Sequence, residues 1–193
     1  MIGNDVVDLA VAAEQSNWSR KGFLEKVFSS EEKALIRNSE DPHKMVWLLW
    51  SMKEAVYKAH QRKFDLPRRL SWRDLICFVE KNERGEVTGK VEHLGKVYYT
   101  FSEVTQHYIH TTAIDPSERG SKKLIFEASS EVMKQKFLQD ISKDFSVELE
   151  LLCLQKNSEG IPTIYYKNHP FFTAFSLSSH GKYAAFSRAL MNC

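Results

Sequence analysis

Cysteine is scarce in this sequence. Of 193 residues only Cys77, Cys153 and Cys193 are cysteines. They are too few and too scattered for a disulfide framework, and no CxxC pair offers a zinc knuckle. A reducing cytoplasm is the compartment this usage predicts. Long apolar runs are also missing. No stretch approaches the roughly 20 residues needed to cross a bilayer, and the first fifteen carry three acids with no basic segment ahead of an apolar one. Neither a membrane span nor a signal peptide is expected. A dominant sign of charge is absent as well: 27 Lys and Arg stand against 25 Asp and Glu, a net charge of +2. That balance cannot supply a broad phosphate-binding surface, so nucleic acid is not an expected partner.

What is present is enough to fold. With 42% hydrophobic and 27% charged residues, the chain can bury one large core or that of two small halves packed together. Residues 1–11 combine a β-branched run with Asp5 and Asp8, which predicts a strand or strand end carrying acids. In Phe28–Ile36, Ser29 or Ser30 can cap a helix that starts near Glu31 and is broken at Asp41-Pro42. Lys44–His60 has no Gly or Pro. Its Met45, Leu48, Leu49, Met52, Ala55, Val56 and Ala59 form one helical stripe directed at the core. Glu54 and Lys58 fall together on the far side, flanked by Trp47 and Trp50.

The segment Gln61–Arg69 reads as a basic loop. Strands are expected at 75–80, 89–93, 97–102 and 108–114, the first two joined by a hairpin turn in Lys81–Glu86. Asp115–Ser121 concentrates turn formers and is the expected junction between halves 1–115 and 116–193. Beyond it come a helix over 130–144, a strand over 147–155, the turn Lys156–Pro162 and a last strand within 175–187. Leu75–Val87 and Leu149–Pro162 share a strand followed by a KN-E-G turn. The expected architecture is therefore α+β, with two pseudo-repeated halves packed as an intramolecular pseudo-dimer.

Two readings of the polar residues stand side by side. Asp5 and Asp8 can be a solvated strand end, and Glu54 with Lys58 an i,i+4 surface pair contributing roughly 0.3–0.5 kcal/mol. Alternatively, Asp5 and Glu54 meet across a cleft and hold Mg²⁺, which takes hard oxygen ligands from one or two carboxylates, water and substrate phosphates.

The motifs Ile2–Asp5 (IGND) and Trp50–Lys58 (WSMKEAVYK) resemble the signatures of the 4′-phosphopantetheinyl transferases. Their spacing to Phe28–Ile36 resembles the surfactin-synthetase-activating type. The later GIP at Gly160–Pro162 and FSLSSHGKYAA from Phe175 resemble, more loosely, the family's G-K-P and F-N-x-S-H-S-G segments. Because these follow the acid-bearing half, the order resembles two short acyl-carrier-protein-synthase subunits joined head to tail.

The resemblance implies a monomeric pseudo-dimer whose active site lies between the halves. It implies Asp5 and Glu54 as metal ligands, Glu54 also as candidate base, and Lys58 beside the transferred phosphate. For coenzyme A it implies Lys53, Gly160, Pro162, Ser178, Ser179 and His180. The implied reaction moves phosphopantetheine from coenzyme A to a serine of an acidic acyl or peptidyl carrier protein, of the kind used in fatty acid biosynthesis, with Mg²⁺ as cofactor.

The pattern departs from the family in places. Val7 stands where larger members carry a further acid, and Asp8 could replace it only if the strand bends. Ile161 stands where the family has lysine, leaving Lys122, Lys123, Lys134, Lys136, Lys167 and Lys182 as substitutes for gripping the 3′-phosphate. His180 is displaced by one position. Arg62, Lys63, Arg68 and Arg69 form a candidate docking surface for the carrier. Two rivals remain: a coenzyme A- or carrier-binding module without catalysis, and an unrelated α+β fold in which Glu54 and Lys58 are structural.

Overall fold

A computed structural model of the chain describes residues 1–117 and 120–190. Cys193 and part of the expected junction at 115–121 lie outside the described residues. The chain opens with strand β1 (Ile2–Asp8) and the short helices α1 (Leu9–Gln15), α2 (Phe23–Val27) and α3 (Ser30–Asn38), followed by the long helix α4 (Pro42–Phe64). Strands β2 (Leu75–Glu83), β3 (Glu86–His93), β4 (Lys96–Val104) and β5 (Tyr108–Ile114) then form an antiparallel meander. β5 returns to pair with β1, giving the sheet order β1-β5-β4-β3-β2. The expected turn in Lys81–Glu86 forms, with Arg84 and Gly85 both at positive φ (51° and 86°), the backbone that suits a two-residue hairpin.

Ser29 is the cap of α3. It accepts from the Glu32 amide while the Glu32 carboxylate accepts from the Ser29 amide, a reciprocal capping box. Asp41 caps α4 and Pro42 occupies its first turn, which is why the same dipeptide that ends one helix begins the next.

α4 is longer and more enveloped than its apolar stripe implies. The Gln61–Phe64 stretch, expected in a loop, continues the helix, and only at Asp65, in the left-handed region at φ 48°, does it end. Trp47, Ser51, Lys53, His60 and Gln61 are buried along with every residue of the predicted stripe except the half-buried Met45, so the helix is covered nearly all round. The five-stranded sheet covers one side and α3 lies against it on another. Trp50 stacks on Trp72 and Phe23 at centroid distances of 3.8 and 6.0 Å. The tryptophans beside Glu54 thus belong to the core and do not wall a cleft.

The second stretch contains β6 (Ser121–Glu127), α5 (Ser130–Phe145), β7 (Leu152–Lys156), β8 (Pro162–Tyr166), β9 (His169–Phe171), β10 (Phe175–His180) and β11 (Tyr183–Ala189). α5 agrees with its expected span. The single strand expected over 147–155 begins instead with a 3₁₀ turn at Leu149–Leu151, and the last strand is a hairpin turning at Gly181. β6 and the β8–β9 hairpin are not among the strands expected from the sequence. The order is strand, helix, then a meander whose last strand pairs with the first, as in the first stretch. Here the sheet is divided into β10-β11-β6 and β7-β8-β9.

The seam between the two stretches runs along the free edge of β1. The Asn4 amide donates to Ser176 Oγ and the Asp8 amide to His180 Nδ1, both at 2.9 Å. Thr112 and Ser187 hydroxyls meet at 2.9 Å in the same buried layer. Edge amides that would otherwise face an incoming chain are satisfied by the side chains of β10.

Candidate active site

β1 can lie directly on α4 because residue 3 is glycine. A Cβ there would stand 1.9 Å from the Ala55 carbonyl oxygen and 2.7 Å from the Ala59 nitrogen, both backbone atoms of α4. This contact brings the next residues of β1 to the polar flank of α4. Lys58 Nζ reaches Asp5 Oδ1 at 2.9 Å and the Asn4 carbonyl at 3.0 Å. Glu54, one turn earlier, is half-buried and makes no hydrogen bond or ion pair among the described residues. Burial, and secondarily the charge of Asp5, push its carboxyl up to about 7 against the opposing pull of Lys58 and Arg68. Asp5, Glu54 and Lys58 thus form one electrostatic group, drawn from residues about fifty apart in the sequence.

Asp5 and Glu54 present hard oxygen donors, the type Mg²⁺ takes, and a divalent ion would offset the Asp5 charge that adds to the effect of burial on Glu54. No third Asp, Glu, His or Cys completes a ligand cluster with them among the described residues, which leaves water and phosphate oxygens for the other positions. Val7 is packed in the core. Asp8 is no substitute ligand. Its Oδ1 caps α1 by accepting from the Ala10 and Val11 amides, and its Oδ2 accepts from the Lys182 amide at 3.1 Å.

Beside Lys58 opens a cavity of about 330 Å³ lined by both stretches of the chain. Lys58, Gly160, Pro162, Ser178 and Ser179 converge there. Gly160, at φ 73°, belongs to a tight turn in which the Ile161 amide donates to Asn157 Oδ1 at 2.8 Å. Ser178 lines the cavity, but its hydroxyl oxygen is itself buried and has no hydrogen-bond partner among the described residues. His180 points to the seam: its Nδ1 accepts from the Asp8 amide, which fixes the tautomer with the proton on Nε2.

Lys53 has no place in this cleft. It is 0% exposed, and its ammonium donates to Glu32 Oε2 at 2.8 Å and to the carbonyls of Val27, Trp72 and Leu75. Its neighbour Glu54 lies within electrostatic reach of Asp5, Lys58 and Arg68, while Lys53, about 100° round the helix from it, points into the core. It is a structural cation, and the expectation that it touches coenzyme A is corrected.

The basic residues after Lys58 also do not form one surface. Lys63 pairs with Asp115 at 2.5 Å, and Arg62 donates to the Phe175 carbonyl. Arg62 and Arg68 line the cavity instead, with Lys134 and Lys156. Of the six lysines weighed as substitutes for the lost cation, only Lys134 is there. Lys122 pairs with Asp140 and Asp144, Lys123 with Glu103 and Lys182 with Glu127. Arg62 was discoverable from its spacing: four residues beyond Lys58, it shares that face once the helix is known to continue.

A family model for the 4′-phosphopantetheinyl transferase superfamily matches residues 1–113, the stretch that carries Asp5, Glu54 and Lys58. No curated protein matches the chain. Among solved structures, holo-[acyl-carrier-protein] synthase from Thermotoga maritima is similar at 12% identity, over 88% of this chain and 83% of that one, with a TM-score of 0.40.

Proposed function

From its membership of the 4′-phosphopantetheinyl transferase superfamily, which the match over residues 1–113 establishes, we propose that this chain transfers 4′-phosphopantetheine from coenzyme A to a serine of an acyl or peptidyl carrier protein, in the manner of a holo-acyl-carrier-protein synthase. The observation that carries the reading is the meeting of Asp5 with Lys58 at 2.9 Å beside the unpartnered Glu54, at the mouth of a cavity with four further cationic side chains. A binding module without catalysis has no use for an unpartnered carboxylate held near neutral pKa beside a fixed lysine.

In this reading the carrier serine oxygen bonds to the phosphorus that bears the pantetheine arm. The P–O bond to the leaving phosphate breaks, and adenosine 3′,5′-bisphosphate departs with the electron pair. Glu54 is the group placed to accept the hydroxyl proton. Lys58, held by Asp5 and the Asn4 carbonyl, presents a fixed positive charge to the phosphate under attack, so little reorganisation accompanies the step. Ser178, Ser179 and the Gly160–Pro162 turn line the channel for the rest of coenzyme A. Asp5 and Glu54 would hold Mg²⁺, which when bound neutralises pyrophosphate charge.

The test is direct. Incubated with coenzyme A, Mg²⁺ and a panel of acidic apo carriers, the protein is expected to add one phosphopantetheine mass to a carrier and release adenosine 3′,5′-bisphosphate. Absence of both across the panel, with coenzyme A still bound in calorimetry, would assign the chain to the binding-module alternative.

A further inference from the structure

On α4, His60 lies two residues beyond Lys58 and so about 200° further round the helix, on the side turned away from that lysine. It faces His93, the last residue of β3, with ring centroids 4.5 Å apart and planes at 77°. Both residues are more than nine-tenths buried, at 5% and 7% exposure. Each has one ring nitrogen engaged. His93 Nδ1 donates to the Asp74 carbonyl at 3.1 Å, and His60 Nδ1 meets the Tyr98 hydroxyl at 2.9 Å. Neither Nε2 has a hydrogen-bond partner among the described residues, and neither is sealed off. Both residues line a separate cavity of about 340 Å³, whose other walls include Tyr57, Leu66, Pro67 and Leu94.

Such an arrangement suits imidazoles that bind a metal. A ligating histidine is oriented by a hydrogen bond on its other ring nitrogen, to a carbonyl or similar group, which leaves the lone pair on the outward nitrogen. The Asp74 carbonyl does this for His93: a carbonyl only accepts, so the proton sits on Nδ1 and the Nε2 lone pair is free. The Tyr98 hydroxyl permits the same tautomer in His60, because a hydroxyl accepts as well as donates. Spacing agrees. An ion about 2.0–2.1 Å from each Nε2, with an angle of about 90–110° at the metal, sets the ring centres roughly 4.5–5.2 Å apart, and the observed separation of 4.5 Å falls at the near end of that range. No third Asp, Glu, His or Cys joins the pair in a ligand cluster among the described residues, which leaves water for the remaining positions. Two imidazoles select a borderline ion such as Zn²⁺, Ni²⁺ or Cu²⁺ over Mg²⁺, which takes oxygen.

We propose that His60 and His93 form a second metal site, for a divalent transition ion, separate from the carboxylate pair of the active site. An ion held there would clip the last turns of α4 to the end of β3, two elements that only the fold brings together. The site requires neither Asp5 nor Glu54 and does not depend on the transferase reading.

Cu²⁺ added to metal-free protein, with Mg²⁺ in excess to occupy the carboxylates, tests this by paramagnetic resonance, because each coordinated imidazole nitrogen splits the copper signal. Wild type is expected to hold one Cu²⁺ coupled to two nitrogens. His60→Gln, whose amide can still meet the Tyr98 hydroxyl, and His93→Gln are each expected to weaken binding at least about tenfold, while Asp5→Ala keeps the signal. Melting supplies a measurement that needs no variant: in the same excess of Mg²⁺, added Zn²⁺ is expected to raise the melting temperature of wild type. A copper ion coupled to fewer than two nitrogens in wild type, a two-nitrogen signal undiminished in either glutamine variant, its loss in Asp5→Ala, or a melting temperature that Zn²⁺ does not raise would each overturn the proposal, and all of them leave the transferase reading intact.

Discussion

At Gly3 a single hydrogen atom decides whether the site assembles. A methyl group there would overlap the Ala55 carbonyl at 1.9 Å, and both contacting atoms are backbone, so β1 or α4 must move. Gly3→Ala is expected to lower the melting temperature by roughly 5–10 °C and to cost more activity than stability, since the displaced strand carries Asp5; calorimetry alongside a transfer assay checks both. Lys53→Met tests the opposite kind of residue. It strands Glu32, 1% exposed, and is expected to destabilise the protein by about 3–5 kcal/mol while the folded fraction binds coenzyme A normally. A selective loss of affinity without loss of stability would restore Lys53 to the cleft. Both residues sit in motifs that were legible. The sequence shows that a Lys-Glu pair is present but not which member turns inward, because one 100° step on a helix covered nearly all round separates the core from its one polar flank.

Individual elements show the same division. The capping box at Ser29, the hairpin at Arg84-Gly85 and the span of α5 depend on local hydrogen bonds between near neighbours, and all were readable. The continuation of α4 to Phe64 was not. Gln61, Arg62 and Lys63 look like a solvated run until the Phe175 carbonyl and Asp115, more than fifty residues away, supply their partners. The single strand expected over 175–187 is likewise a hairpin, because Gly181, at a φ of 56°, turns the chain back against Asp8. Asp8 is consequently the link between elements: it caps α1 and holds the Lys182 amide. Asp8→Ala is expected to cost about 1–2 kcal/mol by denaturant titration and to leave the Mg²⁺ dependence of transfer unchanged. A raised metal requirement would instead make Asp8 a ligand.

Across the whole molecule, buried neutral imidazoles set the acid limit. Burial holds His110 down to about 3, with Lys123 and Lys58 adding to the effect, and His60 to about 4, with His93, Lys63 and Lys96 adding to it. Below the ordinary histidine value of 6.5 the unfolded chain takes up protons that the folded one refuses. Their contribution to stability is therefore full above pH 6.5 and falls progressively from there toward pH 4, outweighing the single opposite contribution of Glu54, whose raised carboxyl adds stability as the pH falls below 7. Urea midpoints measured across that range are expected to decline, and His110→Asn to flatten the slope; an unchanged slope would mean that other groups set it. The shared order of strand, helix and returning meander is only faintly visible in the sequence, because the second stretch splits its sheet and the KN-E-G likeness covers one turn in each stretch. The seam along β1, where the two stretches meet, places Asp5 near α4 and the cavity near both. That convergence is the centre of the account, and paramagnetic resonance of bound Mn²⁺, standing in for Mg²⁺, tests it most directly. One ion is expected in wild type with coenzyme A present, lost equally in Asp5→Ala and Glu54→Ala; an ion that either variant retains undiminished would contradict it.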